Sequence, residues 1–569
     1  MQNFSEPSPR QQLLQLQHAT FARLEEDLHV GQFSEPLQLR RYRRRYDREV
    51  SKFQKISNKS ELIGELKDAS IVYCGDYHTL RQAQRTAVRI LKAILLDRRV
   101  YLGLELVPHN GEKLANDYVR KRTSEENFLT NISYDKRWGF PWSHYRDLFV
   151  LARQYNVRLI GLNSDEGDQL NLEERDQLAA ELLVKHLINS EDILIFCLYG
   201  DLHIGSGHIP RKVEKLLKSY GVKKKSVTIF QNSESIYWQL SLKNLENQVD
   251  VVKIGSRKFC VLSAAPWIKW QSYQSWIEDQ SDLLDFPEDG ENETTLVSDY
   301  YHQVLEIAQK IANFLKFTPL GLEHFSVLTA HDVKIIDEVD RYCSSCERRD
   351  FPITSVIRSE IIENGSCFFP ETSVLYLSNL SENRAAEKAA QLLFTKMNPT
   401  PASVVGQETS RAEILYRLIL WEAVGFLGSK IINPKRKCDR YKDFERVLIQ
   451  TRGRKLLRRQ RDQRELARIL LAFRSYEIRR IKTGKKHGLP RKIFRIYPRL
   501  FYRCANALGH ILADNLYYLM VTDRISLDSI RELFSPLDAH IEAGSQRYWK
   551  FLYLVRSFNF NHESKDDRF

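Results

Sequence analysis

The 569-residue sequence lacks any uninterrupted apolar run of about 18 residues, the length that a membrane-spanning helix needs. Its opening stretch, MQNFSEPSPRQQLLQLQHATF, lacks the apolar core of a secretory signal. It also lacks a disulfide framework, because the eight cysteines are scattered and two of them, Cys74 and Cys197, lie inside apolar runs. This pattern favours a reducing compartment. We therefore expect a cytoplasmic protein.

The excess of positive charge is confined to one part of the chain. The formal net charge is +13, whereas residues 435–503 alone hold 25 Lys and Arg against 6 Asp and Glu. Such a segment, with Phe and Tyr among its cations, can bind nucleic-acid phosphates or an anionic membrane surface. It can equally be the basic face of a helical bundle that meets the acidic remainder of the chain. All three interpretations stay open from the sequence.

The pattern of apolar residues divides the chain into regions. Residues 1–60 look like a helical extension, and 61–240 alternate strand-like runs with helical periodicity. Alternation of this kind predicts an α/β domain with a mainly parallel central sheet flanked by helices. Residues 241–297 look like an irregular connection, and helical periodicity over 298–569 predicts a mostly helical, basic C-terminal domain. The strands are predicted at 70–75, 100–107, 157–163, 193–200 and 226–231.

Two of the predicted strands end in the same way, in Gly75-Asp76-Tyr77-His78 and in Gly200-Asp201-Leu202-His203. Glu105 lies near the end of another strand, and Asn163 closes a fourth. Ligands of open parallel sheets bind at the carboxyl ends of the strands. The sequence therefore predicts that these polar residues share one edge of the sheet.

The chemistry of two histidines and a glutamate leaves several functions open. His78, Glu105 and His203 could bind Zn²⁺, Mn²⁺ or Fe²⁺ with a position left for water. One histidine could be a general base, or a histidine or nearby tyrosine could be an axial haem ligand. The structural alternative is that both histidines only cap helices or satisfy buried backbone groups.

Two further stretches hold candidate ligand-binding residues. Trp138, Phe140, Trp142 and Tyr145 are close enough in sequence to wall a pocket for a flat ligand, or to form a core plug under the sheet edge. Arg175, in the first turn of a predicted helix, could clamp an anionic group or form a surface ion pair.

In this order, the motifs resemble the ChaN-like haem-binding proteins, which share a superfamily with the erythromycin esterase, TraB and Tiki proteins. The resemblance covers residues from about 60 to 235, and its signature is two Gly-x-x-His motifs, a glutamate between them and an arginine. The matching residues are Gly75-Asp76-Tyr77-His78, Glu105, Trp142 with Tyr145, Gly161-Leu162-Asn163, Glu174-Arg175-Asp176 and Gly200-Asp201-Leu202-His203 with Pro210.

The resemblance implies an α/β sandwich that binds haem or an iron porphyrin and acts in iron or haem handling. His78 and His203 would then be site residues, Glu105 a ligand or base partner, and Arg175 the holder of an anionic group. The predicted haem site comprises His78, Trp142, Tyr145, Asn163 and His203. The Tiki and esterase branches imply the alternative of a metal-dependent hydrolase, with His78, Glu105, Arg175 and His203 as catalytic residues. Association as a homodimer also stays open.

Overall fold

The computed structural model describes residues 7–30, 37–164, 170–188, 192–285, 292–329, 361, 365–378, 381–397, 410–485, 489–490, 493, 496–537, 542–557 and 568–569. The chain forms two units. The α/β unit comprises residues 21–286 and 567–569, and the helical unit comprises 1–20 and 287–566.

The α/β unit is built on an eight-stranded sheet with the strand order β1-β7-β8-β6-β2-β5-β3-β4. All neighbouring strands from β8 to β4 pair in parallel, whereas β7 pairs antiparallel with both β8 and β1. This confirms the predicted α/β class with a mainly parallel sheet. The strands are β1 Lys55–Ser57, β2 Ile71–Asp76, β3 Val100–Pro108, β4 Arg158–Asn163, β5 Leu194–Gly200, β6 Ser226–Gln231, β7 Val251–Gly255 and β8 Lys258–Val261.

Helices cover both faces of this sheet, which explains why its central strands are unbroken apolar runs. Every residue of β2 and β5 is buried. Alternate residues of β2 enter different cores, Val72 and Cys74 on one face and Ile71 and Tyr73 on the other. The helices of this unit are the part of α1 Pro9–Val30 from residue 21 onward, α2 Leu37–Glu49, α3 Lys59–Lys67, α4 Arg81–Ile94, α5 Glu112–Val119, α6 Glu125–Asn131, α7 Tyr134–Arg137, α8 Trp142–Tyr155, α9 Leu172–Ile188, α10 Ile209–Ser219, α11 Glu234–Leu242 and α12 Pro266–Asp285.

The interval 241–297 differs from the predicted irregular connection. It contributes β7, β8 and α12 to the α/β unit. Its two strands have five and four residues, and they pair with each other as an antiparallel hairpin. Runs this short carry too little periodicity for a strand to be recognised from the sequence.

The helical unit packs its helices around one central helix, α15 (Arg411–Ile432), which is buried at most positions. A three-stranded sheet of order β10-β11-β9, not anticipated from the sequence, joins them. The elements of the helical unit are α13 Asn292–Leu315, β9 Ser326–Leu328, β10 Ser366–Phe369, β11 Val374–Leu377, α14 Glu382–Met397, α15 Arg411–Ile432, α16 Tyr441–Gln450, α17 Arg458–Thr483, α18 Pro498–Val521, α19 Leu527–Phe534 and α20 Ala543–Arg556.

Several cations of the basic segment form ion pairs within this helical unit. Arg436 pairs with Glu387, and Arg440 pairs with Asp514. These contacts agree with the interpretation of the segment as part of a helical bundle. None of the helices that the structure describes combines the length and the apolarity needed to cross a membrane.

Candidate functional site

The two Gly-Asp-x-His motifs leave neighbouring strands at the same edge of the sheet. β2 and β5 pair in parallel, with Asp76 opposite Gly200. A Cβ atom built on Gly200 would lie 3.4 Å from each of three side-chain atoms: Oε2 of Glu105, Nε2 of His78 and Cδ2 of His203. The structure therefore brings three of the predicted site residues together around the backbone of Gly200.

His78 is held by the aspartate of its own motif. Its Nδ1 lies 2.9 Å from Oδ2 of Asp76, and the same oxygen accepts a hydrogen bond from the Tyr145 hydroxyl at 2.9 Å. A carboxylate only accepts, so Nδ1 carries a proton and the neutral ring presents the lone pair of Nε2. Burial lowers the pKa of His78, but the charge and hydrogen bond of Asp76 and the charge of Glu105 outweigh it, so the pKa is raised.

His203 is held by an aspartate from a different element. Its Nδ1 lies 2.5 Å from Oδ1 of Asp176 in α9, and Oδ2 of Asp176 accepts from the Tyr42 hydroxyl at 2.9 Å and lies 3.3 Å from Nδ1 of His208. Burial raises the pKa of Asp176, but its hydrogen bonds with His203 and His208 outweigh this and lower the pKa. Asp176 therefore ties α2, α9 and the His203 turn together.

Asp201 plays a different role from Asp76, although both occupy the second position of the repeated motif. Among the residues that the structure describes, neither of its buried carboxylate oxygens has a hydrogen-bond partner. Burial raises the pKa of Asp201 to about 7. The repeat in sequence is thus not a repeat in geometry.

Glu105 lies at the centre of the cluster and is only 3% exposed. Its Oε1 accepts a hydrogen bond from Arg175 Nη2 at 2.7 Å, and its Oε2 accepts one from the Gly200 backbone N–H at 2.7 Å. The Nε2 atom of His78 lies 3.8 Å from Oε2. Arg175 is therefore an internal partner of Glu105 and not a surface ion-pair residue.

Aromatic side chains surround the His78 ring. The ring centroids of Trp138 and Phe140 lie 4.7 and 4.8 Å from that of His78. Phe140 stacks on Trp276 of α12 at 5.0 Å, and the Trp276 Nε1–H donates to the Gly139 carbonyl at 3.0 Å. The wall beside His78 is therefore formed by Trp138 and Phe140 and backed by Trp276.

The other three residues predicted to bind the cofactor are Trp142, Tyr145 and Asn163, and only Tyr145 contacts His78. Trp142 packs on Phe128, Tyr134 and Phe149 in the core beneath the sheet edge. Tyr145 is fully buried, and its hydroxyl donates to Oδ2 of Asp76 and lies 3.4 Å from Nδ1 of His78. Asn163 ends β4, which β3 separates from β5.

Several residues of this cluster were given no role from the sequence: Asp76, Tyr42, Asp176, His208 and Trp276. Asp76 lies inside the first repeated motif, and Asp176 directly follows Arg175. His208 lies five residues after His203, a spacing without a recognisable pattern. Tyr42 and Trp276 come from helices outside the motif-bearing region, and only the tertiary structure could reveal them.

No group of three or more His, Cys, Asp or Glu side chains in the described ranges is arranged to hold a metal ion. The metal site predicted at His78, Glu105 and His203 therefore has no support from the structure. The physical reason is that both oxygens of Glu105 are already engaged, one by Arg175 and one by the Gly200 backbone.

Comparisons with known proteins agree with the resemblance. Residues 62–171 match the model of a family described as haem-binding uptake, Tiki superfamily, ChaN. A solved structure titled "Cofacial heme binding to ChaN of Campylobacter jejuni" is similar at 19% identity and a TM-score of 0.24, covering 32% of this chain and 88% of that one. No curated protein matches the chain. Residues 62–171 are therefore similar to the ChaN-like haem-binding family of the Tiki superfamily, the family that the ordered motifs resemble.

Proposed function

We propose that the α/β unit binds haem or a related iron porphyrin, and that the protein acts in haem or iron handling. The observation that carries this proposal is the environment of His78. The rings of Trp138 and Phe140 pack against its ring, its side chain is 22% exposed, and its Nδ1 is fixed by Asp76. An imidazole oriented in this way leaves Nε2 for the iron.

The residues around His78 fit a flat apolar ligand with an iron centre. Aromatic rings pack well on a porphyrin face, because both are planar and apolar. A carboxylate on Nδ1 raises the basicity of Nε2 and sets its direction, as is common for histidines that ligate metals. Bound haem would supply an iron centre for ligand binding or redox chemistry, and His78 would hold it through Nε2. The description of the matching family as haem-binding supports the same ligand.

Among the other predicted site residues, we assign supporting roles. His203 and Glu105 border Gly200, where a larger residue would fill the space beside Nε2 of His78. Arg175 keeps Glu105 in place through the 2.7 Å contact. Tyr145 positions Asp76, and Trp138 and Phe140 replace Trp142 as the pocket wall. Asn163 has no role in this proposal.

The alternatives left open by the sequence receive less support. A metal-dependent hydrolase needs a cluster of metal ligands, and the described residues contain no group of three or more His, Cys, Asp or Glu side chains arranged for one. The family model covers residues 62–171, so it gives no support for nucleic acid or an anionic membrane surface as a partner of residues 435–503. A homodimer has no support from them either.

The test is a hemin titration of the full chain, followed by the Soret absorption band. We expect saturable binding that His78→Ala weakens at least tenfold. The matched control is His186→Ala, which removes a half-buried histidine of α9 that packs on Tyr101, away from the cluster. If hemin produces no saturable spectral change, or if both variants bind equally, the proposal is wrong.

A further inference from the structure

A cavity in the helical unit lies among α16, α17, α18 and α20 and has a volume of about 260 Å³. Pockets for small molecules typically have about 300–1,000 Å³, so this one suits a small ligand. Its apolar wall comes from α18 and α20, through Leu508, Ile511, Leu512, Leu552 and Val555. The cavity can therefore accommodate a short apolar group.

The polar wall of the cavity carries more positive than negative side chains. The basic residues are Arg440, Lys442, Arg474 and Arg556, and the acidic residues are Glu477 and Asp514. A cavity with such an excess of cations favours an anionic ligand.

The two acidic residues neutralise less of this charge than their number suggests. Asp514 is shared by Arg440, which hydrogen-bonds its Oδ2, and by Lys430, whose Nζ lies 3.3 Å from its Oδ1. Glu477 is fully buried and accepts a hydrogen bond from the Tyr548 hydroxyl. Burial raises the pKa of Glu477 to about 7, so at neutral pH it is only partly ionised.

Three of the basic side chains that line the cavity can still bind an anion. Lys442 is exposed at the start of α16. Arg474 stacks its guanidinium 4.6 Å from the Tyr441 ring centroid and donates to Glu445, but its buried Nε has no hydrogen-bond partner in the described part of the chain. Arg556 is 35% exposed, and its Nη2 lies 3.7 Å from Oε2 of Glu477, too far for a good hydrogen bond.

We infer that this cavity is a second ligand site, which binds a small amphipathic anion. Lys442, Arg474 and Arg556 would hold a phosphate or carboxylate head group, and the leucine and isoleucine side chains of α18 would hold its short apolar chain. Charge-assisted hydrogen bonds to arginine and lysine supply the specificity for the head group. The inference does not depend on haem binding, because its residues belong to the helical unit.

The test is calorimetric titration of the full chain with n-octyl phosphate below its micelle-forming concentration. We expect saturable binding, with inorganic phosphate and n-octanol each at least tenfold weaker, because each lacks one half of the recognised chemistry. A second titration uses vesicles of phosphatidylcholine with phosphatidylglycerol. It tests whether the anion is a lipid of a membrane surface and not a free small molecule. Binding to vesicles without binding to monomeric octyl phosphate would overturn the inference.

Charge-reversal variants assign the binding to this cavity. Lys442→Glu and Arg556→Glu should each weaken octyl phosphate binding at least tenfold, whereas Lys482→Glu should leave it unchanged. Lys482 is an exposed cation of the same basic segment that does not line the cavity. All three variants should retain the hemin response and the thermal unfolding temperature of the parent chain. Equal loss of binding in all three would show a diffuse charge effect and would refute the site.

Discussion

The carboxylate of Asp201 occupies the space that a side chain at residue 75 would need, since a Cβ on Gly75 would lie 1.8 Å from its Oδ1. Gly75 is the penultimate residue of β2, and Asp201 follows β5, the strand that pairs with β2. The glycine of the first Gly-Asp-x-His motif is therefore required by the aspartate of the second. This contact explains in physical terms why the two motifs occur together.

Gly75→Ala should lower the free energy of unfolding by about 1–3 kcal/mol, the usual cost of overpacking a buried site. The short Asp201 side chain is enclosed and has little room to move. The matched control is Gly64→Ala in α3, where a Cβ meets nothing within 4 Å. That change should be neutral or stabilise by up to about 1 kcal/mol, because alanine favours a helix. Urea unfolding of both variants measures the difference, and equal effects would contradict the close contact.

Asp201→Asn should stabilise the protein at alkaline pH and have little effect near pH 4. Burial raises the pKa of Asp201 to about 7 in the folded chain, well above that of an unfolded aspartate. The folded state therefore binds more protons between about pH 4 and 7, and stability falls as the pH rises through this window. Asparagine keeps the shape and removes the charge, which should contribute about 2–4 kcal/mol at pH 8.

The measurement for Asp201→Asn is urea unfolding at several pH values. The control is Asp192→Asn, which changes an exposed carboxylate in the same unit and should not alter the pH profile. A pH-independent difference between Asp201→Asn and the parent chain would show that the carboxyl does not titrate in this window.

Hemin binding should weaken as the pH falls through the pKa of His78. Only the neutral ring offers the Nε2 lone pair to iron, and the pKa is raised by Asp76 and Glu105 against the effect of burial. Asp76→Asn removes the nearest negative charge but keeps an oxygen that can accept from Nδ1. The loss of hemin affinity on acidification should therefore occur at lower pH in Asp76→Asn than in the parent chain. Hemin titrations across pH 5.5 to 8.5 measure both pH profiles, and identical profiles would exclude His78 as the titrating ligand.

Tyr42→Phe should destabilise the α/β unit by about 1–2 kcal/mol, because it removes a hydrogen bond to the buried Asp176. The ring stays and keeps its stacking on His208 at 3.8 Å. Asp176→Ala should cost more, about 3–5 kcal/mol, since it leaves two buried histidines without their carboxylate. Thermal unfolding gives the order of effects, with Tyr220→Phe as an exposed tyrosine control that should change nothing.

Much of the α/β unit could be predicted from local pattern alone. The five predicted strands lie within one or two residues of β2, β3, β4, β5 and β6. These strands are buried on both faces, so their apolar runs are continuous and easy to recognise. The strands that escaped prediction are β1, β7, β8 and the three strands of the helical unit, because each has only three to five residues.

The candidate site was only partly accessible from the sequence. His78, Glu105 and His203 follow parallel strands, and strand direction alone predicts that they meet. Which aromatic rings face His78 depends on how the loop before α8 folds, and this loop brings Trp138 and Phe140 there while Trp142 enters the core. Sequence proximity could not separate these residues.

The sequence by itself determines which apolar runs end in polar residues and where the basic charge is concentrated. Both features depend on residues that are near one another along the chain. They predict the parallel sheet and the shared edge, and the ordered motifs carry the resemblance to the ChaN-like family. Only the tertiary structure decided which carboxylate holds which histidine, since Asp76 acts two residues away and Asp176 acts from a separate helix. It also decided that the basic segment encloses a cavity, because enclosure depends on helices that are far apart in sequence and meet only when packed.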